Sequence, residues 1–230
     1  MPLSPLQQIR LDMDRAADAA GRPHAHLLAV SKTQPAEAVA ALAAQGQRAF
    51  GENYVQEAAA KIAALAEAGL EWHLIGHLQS NKAEQAATLF DWVQTVDRPK
   101  LVAALAKGRA TASARAPLNV LIQVNIDDEA SKHGCQPDAV DALAAAIAAQ
   151  PALALRGLMA IPAPWPEAAR RIDAFARMHA LFVRLRAAHP QVDTLSMGMS
   201  GDFADAIAAG ATMVRVGTAL FGARGPRVSG

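Results

Sequence analysis

Eight short apolar runs, alternating with longer helical patterns, leave this chain of 230 residues few ways to fold. The runs are HLLAVSK (His26 to Lys32), RAFGEN (Arg48 to Asn53), EWHLIG (Glu71 to Gly76) and DWVQTVD (Asp91 to Asp97). LNVLIQVN (Leu118 to Asn125), LRGLMAI (Leu155 to Ile161), DTLSMG (Asp193 to Gly198) and TMVRVG (Thr212 to Gly217) follow. Helical patterns fill the intervals over Pro35 to Gln45, Tyr54 to Ala68, Ser80 to Leu89 and Pro99 to Lys107, then Pro137 to Ala149, Pro166 to Ala188 and Asp202 to Ala209. Gly46, Gly69, Gly108 and Gly210 stand where a left-handed helix end is wanted, and Asp97 and Ser80 where an N-cap is. Near-continuous apolar strands between helices predict a parallel sheet under a helical cover. Eight such units predict a closed (β/α)8 TIM barrel, with a flavodoxin-like open sheet, which normally uses about five strands, as the alternative. An extra helix near Pro5 to Ala20 precedes the first strand and is placed to cap the bottom. No Gly/Ser-rich or Pro-rich linker divides the chain, so one domain is expected over residues 1–230.

Composition narrows the chemistry. A net charge of +1, with no stripe of Lys and Arg, argues against nucleic acid as partner. One cysteine, Cys135, permits no intrachain disulfide and no cysteine-based zinc site, which fits a reducing compartment. The N-terminus lacks a signal-peptide pattern, and the most apolar region, Ala142 to Ile161, is broken by Gln150, Pro151 and Arg156. A soluble cytoplasmic protein is expected, with no membrane partner. No open sheet edge demands a second copy, so a monomer is expected.

In a barrel the chemistry gathers where strands end. Lys32 shares strand parity with Leu28 and Val30. It is either a solvated strand end or an ammonium rising into the mouth, where partial desolvation makes a lysine a nucleophile toward carbonyls. Arg215 lies between valines in MVRV. Buried under helices it would be an unpaired charge, so it should point inward with Met213 and Gly217, either in an ion pair or toward an anionic or polar ligand. SMGMSGD places Ser196, Ser200 and Gly201 after the seventh run, and Gly217 and Thr218 follow the eighth. Barrels commonly hold phosphate on these two loops, although ordinary capped turns, with Ser200 as cap, would read alike. A lysine, a phosphate cradle and an inward arginine on one rim would together suit an aldehyde phosphate, and pyridoxal 5′-phosphate (PLP) is such a molecule. Asn53 either contacts that ligand or caps the next helix. His77 lines the pocket or orders its loop. Met159 packs on a flat ring or fills core. Lys132, after the fifth run, reads first as a loop cation. His73 and His77 are four apart on a strand and its exit, so no metal site is expected.

The stretches LLAVSKTQP, FGENYVQEAAAK, WHLIGHLQSNKA, GLMAIP and LSMGMSGDFADAIAAGATMVRVGTALFGAR together resemble the pyridoxal-phosphate homeostasis proteins, whose barrel is similar to the N-terminal domain of alanine racemase. The resemblance spans essentially the whole chain. It implies a Schiff base between PLP and Lys32, a phosphate held by Ser200, Gly217 and Thr218, and Arg215 at the pyridine nitrogen. It also implies a PLP carrier or buffer serving intracellular PLP homeostasis, with transient contact to PLP-dependent apoenzymes and no established turnover. Gly201 and His133 look atypical for it.

A low-activity PLP-dependent racemase is the alternative. Racemisation needs a second base opposite the lysine. Racemases with this barrel resemble one another in drawing a tyrosine from an additional domain. Here the chain ends about where the barrel closes, and its one tyrosine is Tyr54, so the carrier is expected over the racemase. A third reading is a cofactor-free barrel enzyme using Lys32 on a phosphorylated carbonyl compound.

Overall fold

A computed structural model describes residues 2–112, 115–129, 132–163 and 165–222. The strands are β1 (His26–Val30), β2 (Ala49–Glu52), β3 (Glu71–Leu74), β4 (Trp92–Val96), β5 (Leu118–Val124), β6 (Leu153–Ala160), β7 (Thr194–Met199) and β8 (Met213–Val216). All neighbours are parallel, and β8 pairs with β1, so the barrel is closed in sequence order. The helices are α1 (Pro5–Ala20), α2 (Ala36–Ala44), α3 (Val55–Ala64), α4 (Ala83–Leu89), α5 (Pro99–Thr111), α6 (Val140–Ala148), α7 (Ala168–Ala188), α8 (Phe203–Ala208) and α9 (Thr218–Phe221). This is the expected (β/α)8 architecture, including the N-terminal helix. Ser4 caps α1 in a reciprocal box with Gln7, and Leu6, Ile9, Met13 and Ala17 form its buried stripe. Among the described residues, no helix is long and apolar enough to cross a membrane.

Strand alternation divides the apolar residues into two cores. Outward residues such as Leu27, Ala29, Val214 and Val216 pack against the helices. Inward residues form smaller clusters, one around Leu28, Ile75 and Met213 and another of Trp92, Leu121 and Met159. The alanine-rich helices suit this layout, since small side chains let helices lie close to a curved sheet.

The local expectations were mostly met, with instructive departures. Gly46, Gly69 and Gly210 have positive φ after their helices, whereas Gly108 lies inside α5. There a Cβ would sit 2.6 Å from the backbone of Glu84, so Gly108 lets α5 lie against α4. Arg98, not Asp97, is the N-cap of α5, and Asp97 pairs with the Arg98 guanidinium instead. Ser80 begins a single 3₁₀ turn behind Gln79. Asp202, not Ser200, precedes α8, and its Oδ1 accepts the Met199 N–H at 2.6 Å. Of these three N-cap residues only Asp202 is acidic, and none makes a side-chain capping hydrogen bond. The strands close one or two residues before most of the apolar runs do, so the chemistry-bearing residues sit just beyond the ladder.

Gly157 on β6 is the tightest backbone contact. Its φ is 150°, and a Cβ there would lie 1.8 Å from the Thr194 carbonyl oxygen on β7. Gly157→Ala is therefore expected to cost at least about 2 kcal/mol through backbone displacement. A urea midpoint equal to that of the unaltered protein would contradict this.

Candidate functional site

Arg215 is fully buried, at 3% exposure, and shares the inward parity of Met213. Its guanidinium donates to Ser196 Oγ at 2.8 Å and to the Ala160 carbonyl at 2.8 Å. No carboxylate lies within ion-pair distance of it among the described residues; Asp202 acts only at longer range. Burial lowers its pKa to about 10, so it stays cationic at neutral pH.

Ser196 passes the interaction on. Its hydroxyl donates to Gln94 Oε1 at 2.7 Å, and the Gln94 amide meets His73 Nδ1 at 3.0 Å. His73 Nε2 then meets Glu71 Oε1 at 2.8 Å. A polar chain thus runs through the barrel from Arg215 to the N-terminal end of β3. The His73 ring stacks on Trp92 with centroids 5.1 Å apart. Burial pushes the His73 pKa down, and the hydrogen bond from His73 holds the Glu71 carboxyl below its usual range. His73 and His77 do not share a site, since His73 is buried in this chain and His77 is exposed. No group of three metal-ligating side chains occurs among the described residues.

Lys32 is half-buried in the turn two residues beyond Val30, the last residue of β1. Its neighbours are held from outside. Ser31 is buried and donates to Glu52 Oε1 at 2.5 Å. Lys61 on α3 donates to the Ser31 carbonyl at 2.7 Å, to Glu52 Oε1 at 2.8 Å and to Glu57 Oε1 at 2.8 Å. Glu57 Oε1 also accepts the Thr33 N–H at 2.5 Å, and Thr33 takes a left-handed φ of 65°. These contacts fix both residues flanking Lys32. Burial raises the Glu52 pKa against the opposing pull of Lys61, and Glu52 Oε2 has no partner.

The remaining predicted residues divide between rim and interior. Gly217 abuts β1: a Cβ on it would come within 3.2 Å of the Val30 carbonyl oxygen and 3.3 Å of Val30 Cβ, which places the β8 turn beside the exit to Lys32. Thr218 opens α9 and is exposed, so the first N–H groups of that turn have no helical acceptor. Ser200 and Gly201 are exposed just past β7, whose Met199 pairs in register with Arg215. Asn53 follows β2, its backbone packed against Gly76. His77 stacks face to face on His133, with centroids 3.7 Å apart, which ties the loops after β3 and β5 together. Met159 is fully buried in the inner cluster with Trp92 and Leu121. Lys132 is half-buried in the loop after β5. Ala223 and Arg224, the last residues of the C-terminal motif, lie outside the described residues.

Sequence reasoning missed Gln94, Gln123, Glu52 and Lys61. Gln94 and Gln123 were signalled by polar residues at inward parity in apolar strands. Gln123 donates to the His133 carbonyl at 3.2 Å, while its Oε1 is buried without a partner. Lys61 lies four residues after Glu57 on the face that α3 buries, a spacing that ordinarily marks a solvent-exposed pair. Cys135 is buried and its thiol pushed up to about 12, so it offers no nucleophile at neutral pH.

Two consequences are measurable. Lys61→Met strands the buried Glu52 and should cost about 3 kcal/mol, much of it restored by adding Glu52→Leu. If the double variant is no more stable than Lys61→Met, the ion pair is not what that position supplies. His73 titrates below its unfolded value, so the unfolded chain takes up the proton first. Its contribution is full above about pH 6.5 and is lost as pH falls below that, by up to roughly 1.4 kcal/mol per pH unit. His73→Gln should flatten the stability profile between pH 7 and 5, and denaturant titrations across that range test it.

The comparisons agree with this geometry. The family model described as "Alanine racemase, N-terminal domain" matches residues 5–225. The pyridoxal phosphate homeostasis protein of Pasteurella multocida is 52% identical over 225 residues, 95% of this chain and 96% of the relative. The structure of PipY from Synechococcus elongatus without PLP has a TM-score of 0.85 and 38% identity, covering 95% of this chain and 98% of PipY. PipY with PLP bound gives 0.79 and 37%, covering 92% and 100%. Close identity across nearly the full length of both chains, on the same closed barrel, means that this chain belongs to the pyridoxal phosphate homeostasis protein family.

Proposed function

We propose that the protein binds PLP at the barrel mouth, through a Schiff base on Lys32, and holds it as an intracellular carrier or buffer. The observation that carries this is the pairing, in one barrel, of a half-buried Lys32 with a buried Arg215 that has neutral partners only. Leu28 is in register with Arg215, and Lys32 follows in the turn beyond the end of β1 at Val30, nearer the mouth than Arg215. The PLP-bound PipY structure and the name of the Pasteurella relative support the same ligand class.

The residues present fit the group. Lys32 supplies the amine, which condenses with an aldehyde and releases water. Arg215, cationic and already anchored on two sides, can donate to an acceptor ring nitrogen but cannot take a proton from it. The turns at Ser200 and at Gly217–Thr218 offer hydroxyls and backbone N–H groups to a phosphate. Gln123 Oε1 is an acceptor still lacking a donor. Bound PLP supplies an electrophilic carbon and an electron-withdrawing ring. With Arg215 at the ring nitrogen, that nitrogen would stay unprotonated and the ring a weaker electron sink, an arrangement that does not by itself exclude racemisation. Tyr54, the one tyrosine of the chain, is 62% exposed at the start of α3. A monomeric cytoplasmic protein that exchanges PLP with apoenzymes completes the reading.

Addition of PLP should turn the purified protein yellow, and borohydride reduction followed by peptide mapping should place the adduct on Lys32. Lys32→Ala should lose the colour and keep its circular dichroism spectrum. An adduct on another lysine overturns the assignment. In deuterated water, steady α-deuterium incorporation into single-enantiomer amino acids, with loss of chirality, would overturn the carrier in favour of the racemase.

A further inference from the structure

The opposite end of the barrel holds a concavity that this function does not use. It has a volume of about 910 Å³ and lies at the N-terminal ends of the strands, walled by α1, α7 and the lead-ins to β1, β2 and β8. Five arginines line it: Arg10, Arg22, Arg48, Arg156 and Arg186. So do three acids, each already committed. Asp14 pairs with His24 at 3.2 Å, Glu71 with His73 at 2.8 Å, and Asp193 with Arg156.

The other four guanidiniums have no carboxylate partner among the described residues. Arg10 donates to the Gly46 carbonyl and Gln47 Oε1, Arg22 to the Ala208 carbonyl and Arg48 to the Ala43 carbonyl. Arg186 has no hydrogen bond or ion pair there. Each carbonyl uses one edge of a guanidinium with five N–H donors and leaves the rest directed elsewhere. The whole chain carries only +1, so this gathering of cations is local and not the spill of a basic protein. Five arginines against three carboxylates leave the hollow with a net positive charge, and a concave wall focuses that field inward. Met13, Leu27, Phe182 and Met213 add apolar wall. The size suits a small molecule, and cations enclosed in a hollow do not form the stripe that nucleic acid or a membrane surface requires.

We propose that this N-terminal face binds a small polyanion of the phosphorylated-metabolite class, gripped by Arg10, Arg22, Arg48 and Arg186 with its less polar body against Phe182 and Met213. Planar guanidiniums presenting paired donors are the natural partners of phosphoryl oxygens.

The probe is inorganic pyrophosphate, titrated calorimetrically at low ionic strength into the full chain. A saturable site that weakens with added salt is expected, separate from any binding at the phosphate cradle of the mouth. Arg48→Ser/Arg186→Ser should bind at least about tenfold more weakly. Arg186→Ser alone, which removes no contact within the described residues, should shift binding in the same direction and guards against misfolding of the double variant. Thr218→Val, at the other end of the barrel, should leave this binding unchanged. Absence of saturable binding overturns the proposal. So does binding that survives the arginine substitutions, or that is lost only in Thr218→Val, since either places the anion elsewhere. The assay does not read the chemistry of Lys32, so the two proposals fail separately.

Discussion

Arg215 is a full positive charge inside a barrel, and neutral oxygens are its only close partners among the described residues. Removing an ion from water costs several kcal/mol unless the surroundings replace its hydration. The barrel does so by dedicating its interior. Ser196 must accept from Arg215, which leaves its own proton for Gln94; Gln94 must then present its amide to His73, and His73 to Glu71. Each polar group is oriented by the one above it, so the interior of β3, β4, β7 and β8 is organised by a single cation. The same constraint explains why the inward apolar residues form two small clusters and the outward ones a continuous shell.

The architecture was legible because strand and helix periodicities differ and neither was interrupted. Parity alone placed Arg215 inward and set Lys32 in line with Leu28 and Val30. The internal wiring was not legible. His73 was weighed only as a metal ligand and set aside, and Gln94 was not singled out, because their partners lie on strands distant in sequence. Lys61 was hidden for a related reason. Spacing shows an i, i+4 pair with Glu57, but only the fold brings Glu52 and the Ser31 carbonyl to the same ammonium. Gly108 was misplaced because close approach of two helices and the end of one helix call for the same residue.

The two ends of the barrel divide the work of its charges differently. At the mouth a lysine and an arginine are each set singly, by neighbours that leave them little freedom. At the foot three arginines are tethered by one edge to carbonyls, and a fourth, Arg186, has no hydrogen bond or ion pair among the described residues. The polar chain connects these ends, since it begins at Arg215 and finishes at Glu71 in the lower hollow.

The clamp on Lys32 has a consequence for the carrier role proposed above. Ser31 and Thr33 are secured by Lys61, Glu52 and Glu57, which stand on the helical side of the sheet and not among the groups that would meet a ligand. The scaffold that aims the lysine is therefore indifferent to whether the mouth is filled. In that role, loading and release would leave the clamp on the reactive position in place, as filling and emptying leave a cup.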